Sequence, residues 1–289
     1  MKIGLFANTR KSRVTEVLPH FIEWLLERDH TLVISTQLYN SLGYEHPKIE
    51  VLDYDAFSKT SDLVVALGGD GTMLAAARVI GRFEKPLVGV NLGGLGFLTE
   101  ISVESLYQKM EQILAGNYTI EKRMVLAARI TTDQKERAFS ALNDIVLDRG
   151  GSPRVIRIDV TIDGAFFNTY ISDGIIVSTP TGSTAYSLAA WGPILLPTME
   201  SIILNPICPH ALTVRPTVIP GSSHIVLTIH FDDSEALLSV DGQENIEIVS
   251  DTSIAIEQDS YSVHLVTLNA HSFFDLLRTK LQWGGLPRK

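Results

Sequence analysis

The glycine-rich segment Gly68-Gly69-Asp70-Gly71-Thr72 combines residues that can bind a phosphate with one that can accept a proton. Three glycines in four residues remove the side chains that would keep a ligand away from the backbone. The segment joins an apolar strand-like run to a helix-like stretch, and the N-terminus of a helix attracts anions. A carboxylate there would repel a phosphate unless it faced a metal ion or a hydroxyl that loses its proton. We therefore expect phosphate chemistry around Asp70, with a tight turn capped by an acid as the alternative.

A second polar stretch, residues 172–187, has the composition of a ligand-binding turn. Pro180 and Gly182 favour an irregular bend after a strand and ahead of a predicted helix start. Tyr186 supplies a flat ring that could stack on a base. The first helical turn could also offer a ligand the hydroxyls of Ser183, Thr184 and Ser187. The alternative is a well-capped helix with a tyrosine in the core.

Other signatures of nucleotide binding and of reactive side chains are absent from the sequence. There is no Gly-x-x-x-x-Gly-Lys-Ser/Thr loop, which excludes a P-loop protein, and no His-Arg-Asp and Asp-Phe-Gly set, which excludes a protein kinase. The glycines of segment 91–96 lack the Rossmann spacing, so we interpret this segment as a close-packed turn. Cys208 has no basic neighbour that would activate a thiol, and we expect it to be a small buried residue.

The elements that carry these residues change in kind near residue 118. Before that point, strand-like runs at 3–7, 32–34, 63–67 and 86–90 are interspersed with helical patterns, including those at 73–80 and 103–115. This alternation predicts an open, mostly parallel α/β sheet with helices on its faces. The first helix of the chain contains Pro19, which we expect in or near its first turn.

Beyond residue 118, many strand-like runs follow one another without helices between them. They lie at 124–130, 141–147, 155–162, 166–171, 213–219, 224–231, 236–240 and 246–249. The dipeptides Asp163-Gly164 and Asp241-Gly242 are strong hairpin signals. This part is predicted to be a β-rich, mainly antiparallel and sandwich-like domain. The tail returns to helix at 272–281.

The composition restricts the setting in which this chain works. Of its 289 residues, 45% are hydrophobic and 20% are charged, which excludes disordered and collagen-like chains. The formal net charge of -9 opposes binding to nucleic acid. No stretch approaches the roughly 20 apolar residues of a membrane span. With one cysteine and no targeting signal, we expect a cytoplasmic protein that binds neither nucleic acid nor membranes.

Taken together, these motifs resemble those of the NAD kinases, enzymes that phosphorylate the 2′-hydroxyl of the adenosine ribose of NAD. The resemblance covers essentially the whole chain. The glycine–aspartate motif alone is shared with diacylglycerol and sphingosine kinases, whereas residues 143–144 together with 173–186 are highly specific to NAD kinases. The resemblance rests on segments 68–72, 91–98, 143–144, 173–193 and 209–216.

The resemblance implies a role for particular residues of this chain. Asp70 matches the proton acceptor, and Gly71 matches a neighbour that contacts the substrate through its backbone. Asn143 and Asp144 match a pair that binds nucleotide hydroxyls and amide, and Asp173 matches an acid that contacts the dinucleotide. The implied phosphate loop comprises Gly68, Gly69, Gly71 and Thr72. The implied NAD-binding set is completed by Arg154, Thr184, Ala185, Tyr186, Ser187, Leu188, Ala189 and Gln243.

The resemblance also implies domains and cofactors. An α/β domain is expected at 1–118, a β-rich nucleotide-binding domain at 119–268, and a helix and tail at 269–289 that pack back on the first domain. ATP or another phosphoryl donor would supply the terminal phosphate. A divalent ion, Mg²⁺, is expected to bridge the donor phosphates because the sequence has few lysines near its glycine loops. The resemblance does not identify the metal ligands. It does imply a homo-oligomer (dimer or tetramer).

Ile171 departs from the family pattern. Many relatives carry Arg or Lys two residues before the position of Asp173, so a cationic contact to the substrate phosphates would here be absent or supplied elsewhere. The sequence leaves open whether polyphosphate replaces ATP, whether NADH is accepted, and how NADPH or NADH regulates the enzyme.

Two other functions share part of this pattern. A lipid kinase would share the glycine–aspartate motif, but the chain has no apolar or basic membrane-docking segment, and its turn at 183–187 is polar. A non-catalytic dinucleotide sensor would keep the pocket without the transfer, and the intact Asp70 speaks against it. Formation of NADP from NAD and ATP would separate these alternatives.

Overall fold

The structure of the protein, a computed structural model, describes residues 1–42, 46–94, 96–132, 135–152, 154–231, 236–268 and 272–283. The chain divides into two units, one formed by Met1–Lys122 with Val263–Lys289 and the other by Arg123–Ser262. None of the helices in the described ranges is long and apolar enough to cross a membrane.

The first unit contains the parallel sheet that the alternation of strands and helices predicts. Its strands are β1 (Lys2–Ala7), β2 (Thr31–Ser35), β3 (Ile49–Leu52), β4 (Leu63–Gly68), β5 (Leu87–Asn91) and β6 (Ile101–Ser102). They lie in the order β3-β2-β1-β4-β5, with β6 beside β5, and every one of these pairings is parallel. Because β2 and β4 flank β1 on opposite sides, the strand order reverses there. Open α/β sheets bind ligands beyond the carboxyl ends of strands at such a switch point.

The register of this sheet brings three loops to one edge. Ala7 pairs with Leu67, and Gly68 pairs with Asn91, so β1, β4 and β5 end side by side. The segments that leave these ends are residues 8–11, the glycine–aspartate segment 68–72, and residues 91–98. The fold therefore places the predicted phosphate loop between two other loops at the switch point.

Helices connect the strands of the first unit, and one more follows the last strand of the chain. They are α1 (Ser12–Glu27), α2 (Thr36–Leu42), α3 (Tyr54–Thr60), α4 (Asp70–Ile80), α5 (Leu106–Leu114) and α7 (Phe273–Leu281). The helix α6 (Tyr186–Ala189) belongs to the second unit. The helix predicted at 103–115 begins as a 3₁₀ turn, Val103–Ser105, and is α-helical only from Leu106.

Pro19 lies in the middle of α1, which corrects the expectation that it sits in or near the first turn. A proline inside a helix costs about 3 kcal/mol because it lacks an N–H and crowds the preceding turn. The same helix buries Val14, Leu18, Phe21, Ile22 and Leu25. Burial of each such side chain contributes roughly 1.5–3 kcal/mol, so the apolar stripe outweighs the proline.

The second unit is built from antiparallel strands, as the sequence predicts. The strands that form or enter it are β7 (Thr119–Thr132), β8 (Lys135–Ala141), β9 (Asp144–Asp148), β10 (Ile156–Ile162), β11 (Ala165–Ser172), β12 (Gly174–Ser178), β13 (Ser201–Ile207), β14 (Thr217–Pro220), β15 (Ile225–His230), β16 (Ala236–Val240), β17 (Glu244–Ile248) and β18 (Ser253–Thr267). One sheet has the order β14-β13-β12-β9-β16-β17, and a second contains β11-β10-β15-β18. Buried side chains from both sheets form one apolar cluster, which makes the unit a sandwich.

The chain breaks where a single strand over 141–147 was predicted. β8 ends at Ala141 and β9 begins at Asp144, so Leu142 and Asn143 lie between two strands. The two predicted hairpin turns are present, with φ of 52° at both Asp163 and Asp241. The Asp241 turn proves to be the cause of the break, through contacts described below.

Gly89 offers a test of how closely α4 packs on β5. A Cβ atom at Gly89 would lie 2.7 Å from Met73 Sδ and 3.0 Å from Thr99 Cα. We expect Gly89→Ala to lower the free energy of unfolding by about 1–3 kcal/mol, measured by urea denaturation, because the core would be overpacked. Gly151→Ala is the matched control, since nothing in the described part of the chain beyond the adjacent residues lies within 4 Å of its added Cβ. Equal stability of the two variants would contradict the tight packing.

Candidate active site

Asp70 is held in place by the loop that follows β5. Its Oδ2 accepts a hydrogen bond from the Phe97 N–H at 2.9 Å, and its Oδ1 accepts one from the Leu98 N–H at 3.0 Å. Hydrogen bonds to a charged acceptor are stronger than neutral ones. The half-buried carboxylate is therefore fixed at the first residue of α4.

Two positions around Asp70 require glycine because neighbouring side chains lie very close to the backbone there. A Cβ atom at Gly96 would lie 2.1 Å from Asp70 Oδ1, and one at Gly68 would lie 2.1 Å from Thr72 Oγ1. The side chain of Asn91 shapes the same loop, since its Oδ1 accepts the Gly93 N–H at 2.8 Å. Segment 91–96 thus packs against Asp70, with Leu95 lying outside the described residues.

Two glycines face open space, Gly71 of the phosphate loop and Gly94 of the loop after β5. Apart from adjacent residues, nothing in the described part of the chain lies within 4 Å of a Cβ atom added at either position. At Gly69, by contrast, Lys11 Nζ lies within that distance, at 3.4 Å. The expectation of few lysines near the glycine loops therefore overlooked Lys11. The signal was available, because the loops after adjacent parallel strands meet at one sheet edge.

In the second unit, Asp241 organises the predicted pair Asn143 and Asp144. Its Oδ1 accepts the N–H of Asn143 at 2.7 Å and that of Asp144 at 3.1 Å, while Oδ2 accepts the Leu142 N–H at 2.9 Å. Three backbone donors on one carboxylate explain why the strand breaks here. Sequence reasoning identified Asp241 only as a turn residue. Gln243, a predicted contact residue, follows in the same turn, where its N–H donates to Val240 O.

The turn at 179–187 is locked onto the same segment. Thr179 Oγ1 donates to Leu142 O at 2.6 Å, and the Thr179 N–H donates to Asn143 O at 2.9 Å. A Cβ atom at Gly182 would lie 2.1 Å from Asn143 O, so this position requires glycine. The predicted residues Asn143 and Thr184 to Ala189 are thus brought together within one unit.

The hydroxyls of this turn are used differently from what the sequence predicts. Ser183 and Ser187 are fully buried. Ser183 Oγ donates to Pro180 O at 2.6 Å, and Ser187 Oγ accepts from Asn205 Nδ2 at 3.2 Å. Both hydroxyls therefore stabilise the turn instead of facing a ligand, because burial leaves them only internal partners. The ring of Tyr186, 47% exposed, remains accessible for stacking.

Asp144 is a buried carboxyl with an unusual acidity. Burial, and after it the negative charge of Asp241, raise the pKa of Asp144 to about 7, although the Tyr186 backbone N–H that bonds it acts in the opposite direction. Asp241 accepts three N–H groups, which favour its charged form. Of these two neighbours, Asp144 is therefore the one that takes up a proton near neutral pH.

Asp173 and Arg154 lie at the opposite end of β9 and β12 from Asp144. Asp173 Oδ1 forms an ion pair with Arg149 Nε at 2.9 Å, and both side chains are about one-third exposed. Arg154 is exposed, and its N–H donates to Ser152 Oγ at 3.1 Å. Sequence reasoning missed Arg149, although it directly follows an aspartate at the end of a strand.

The acidity of the Tyr186 side chain is also altered by its surroundings. Burial raises the pKa of the Tyr186 hydroxyl, and the charges of Asp148, Cys208, Asp144 and Asp173 add to the rise. Cys208 is exposed, with φ of 46°, which corrects the expectation that it is buried.

Asp144→Asn tests the acidity of this carboxyl. The folded protein keeps the Asp144 proton up to about pH 7, whereas the unfolded chain releases it near 3.8. Between those values the folded state binds more protons, so the free energy of unfolding falls as pH rises. We expect urea titrations between about pH 5 and pH 8 to show a fall on the order of a few kcal/mol that Asp144→Asn lacks.

The control for this titration is Asp55→Asn, which removes an exposed carboxylate in the first turn of α3. It should keep the pH dependence of the wild-type protein. The same pH dependence in Asp144→Asn and in the wild type would contradict a raised pKa at Asp144.

Comparison with known proteins assigns both halves of the chain. The ATP-NAD kinase N-terminal domain matches residues 3–118, and the ATP-NAD kinase C-terminal domain matches residues 142–268. An NAD kinase of Moorella thermoacetica is 41% identical over 284 residues, covering 98% of this chain and 90% of the relative. An NAD kinase of Citrifermentans bemidjiense is 39% identical over 285 residues, covering 98% of this chain and 99% of the relative.

Solved structures share the fold. Yeast NADH kinase complexed with NADH matches with a TM-score of 0.92 and 25% identity, covering 100% of this chain and 89% of that chain. An NAD kinase from Archaeoglobus fulgidus in complex with ATP matches with a TM-score of 0.77 and 23% identity, covering 99% of this chain and 100% of that chain. With both halves matched and about two-fifths of its residues identical to curated NAD kinases, the chain belongs to the NAD kinase family of phosphotransferases.

Proposed function

We propose that this enzyme transfers the terminal phosphoryl group of ATP to the 2′-hydroxyl of the adenosine ribose of NAD, giving NADP. The observation that carries the proposal is the position of Asp70. Its carboxylate is fixed by two backbone N–H groups inside a glycine loop at the switch point of the sheet. A carboxylate in a phosphate-binding loop repels phosphate, so its presence is explained if it accepts the proton of an alcohol that is being phosphorylated.

Asp70 acts on the acceptor hydroxyl. Carboxylic acids are far stronger acids than alcohols, so the carboxylate cannot remove the proton before transfer begins. It orients the hydroxyl and takes the proton as the new phosphorus–oxygen bond forms. The two N–H donors occupy one lone pair on each carboxylate oxygen, and each oxygen retains a further acceptor site for the hydroxyl. Phosphoryl transfer depends mainly on such alignment.

The second unit is proposed to bind the dinucleotide. Asn143 and Asp144 would bond nucleotide hydroxyls and amide, with their backbone set by Asp241. Asp173 would contact the dinucleotide, with its orientation set by Arg149. Tyr186 would stack on the adenine, because its ring is half exposed while its neighbours in the turn are internally bonded.

A divalent ion fits this arrangement only as one held by substrate phosphates. Within the described ranges there is no group of three or more His, Cys, Asp or Glu side chains that could hold a metal. Mg²⁺ commonly binds through one or two carboxylates together with substrate phosphates. Asp70 is the carboxylate of the phosphate loop that would serve this role. Such an ion would neutralise charge on the donor phosphates during transfer.

We also propose that the protein works in the cytoplasm as a homo-oligomer. Its single cysteine suits a reducing compartment. The second unit exposes Phe166 and Ile171 on β11, by 67% and 49%, and apolar side chains on a strand suit contact with another protein.

The experiment that tests the function is incubation of the protein with NAD, ATP and Mg²⁺, followed by measurement of NADP. We expect Asp70→Asn to lower kcat by about 10²–10⁴-fold, the usual effect of losing a positioned base. KM for NAD should change much less, because the interaction strengthens only as transfer proceeds.

Gly96→Ala is the companion variant, since its Cβ would displace Asp70 without removing it. It should lower kcat in the same direction. Near-normal kcat in Asp70→Asn would remove Asp70 from the role of proton acceptor. Phosphorylation of diacylglycerol in place of NAD would favour a lipid kinase, and NAD binding without NADP formation would favour a sensor.

Asn143→Ala tests the dinucleotide site. Removal of a side chain that bonds the nucleotide should weaken NAD binding by about 1–3 kcal/mol, measured by calorimetry. Asn245→Ala is the matched control, because Asn245 is an exposed asparagine on β17 of the same unit. Unchanged NAD affinity in a folded Asn143→Ala protein would remove this residue from the site.

A further inference from the structure

The loop that follows β1 carries a cation, Lys11, that has no anionic partner among the residues described by the structure. Among the residues that the structure describes, no carboxylate lies within salt-bridge distance of Lys11 Nζ. The nearby Arg13 is engaged, because it donates to Leu92 O at 3.1 Å and to Glu104 Oε1 at 3.2 Å. The ammonium group of Lys280 lies 5.5 Å from the centre of the Phe97 ring.

Lys11 is placed against the phosphate loop. Its Nζ lies 3.4 Å from the position of a Cβ atom at Gly69, closer than any other described atom outside the residues adjacent to Gly69. The loop is tied to the sheet, because the Asn8 N–H donates to Leu67 O at 3.4 Å and the Lys11 N–H donates to Asn8 O at 3.1 Å. The backbone of Lys11 is thus fixed at the switch point, and its exposed ammonium group lies beside the glycine backbone.

The residue type is unfavourable for the local helix. Lys11 occupies the N-cap of α1 without a side-chain cap bond, and the first turn of α1 contains no acid. Helix starts favour Asp, Asn, Ser or Thr at this position, and the positive end of the helix dipole disfavours cations. Arg10 and Arg13 add to the positive charge. A local rule broken in this way is expected at a functional position, and here an external anion would correct it.

We propose that the Lys11 ammonium group binds a phosphate oxygen of the phosphoryl donor, a nucleoside triphosphate. The inference rests on the proposed function and adds a binding residue to it. Lysine binds phosphate as a compact point charge, and the donor brings several adjacent negative groups to the loop. Because NAD also contains phosphates, the experiment must separate the donor from the acceptor.

The variants are Lys11→Gln, Lys11→Arg and the control Lys59→Gln, which removes an exposed cation from α3 of the same unit. Calorimetry without NAD measures binding of a non-hydrolysable ATP analogue, AMP-PNP, and of adenosine, which has no phosphate. Lys11→Gln should weaken AMP-PNP binding by roughly 10–100-fold, the effect of one charged hydrogen bond. Adenosine affinity should stay constant, and Lys11→Arg should restore most of the loss.

In turnover, Lys11→Gln should raise KM for ATP and leave KM for NAD within about 2-fold of the wild type. Unchanged AMP-PNP affinity would overturn the proposal. So would equal losses for AMP-PNP and adenosine, which would indicate a change of pocket shape. A loss confined to NAD would assign Lys11 to the acceptor and overturn the donor role. Failure of the wild type to form NADP would count against the proposed function, while AMP-PNP binding would still decide the role of Lys11.

Discussion

Hydrogen bonds from backbone N–H groups to aspartate side chains hold the loops of this enzyme in place. Asp70 accepts two such bonds from the loop after β5, and Asp241 accepts three from the segment that carries Asn143 and Asp144. A carboxylate can accept several donors at once and is strengthened as an acceptor by its charge. Each unit therefore uses one acid to fix an irregular segment that strands and helices could not stabilise.

The glycines follow from the same interaction. Backbone donors reach a carboxylate only when the chain comes very close, and a Cβ atom at Gly96 would collide with Asp70 Oδ1. Gly182 stands in the same relation to the carbonyl oxygen of Asn143. Glycine at these positions is thus required by packing, whereas Gly71 and Gly94 face space and leave room for a ligand.

Positive charge near the phosphate loop opposes the overall negative charge of the protein. The chain has a net charge of -9, yet its substrates are phosphates, so the site needs local compensation. Lys11 beside the phosphate loop supplies positive charge in the first unit, whereas Arg149 in the second unit neutralises Asp173. Uptake of a proton by Asp144, whose pKa is about 7, removes one negative charge near the turn that carries Tyr186.

Local periodicity and short contiguous motifs were enough to predict the two architectures, the glycine–aspartate loop, the hairpin turns and the family. The sequence did not reveal Lys11, Arg149 or the role of Asp241, and it misjudged Pro19, the hydroxyls of Ser183 and Ser187, and the exposure of Cys208. Lys11, Arg149 and Asp241 act through contacts between residues far apart in the chain, such as Asp241 with Leu142. Burial and hydrogen-bond partners are set by how the segments pack in the folded chain, so local sequence patterns do not predict them.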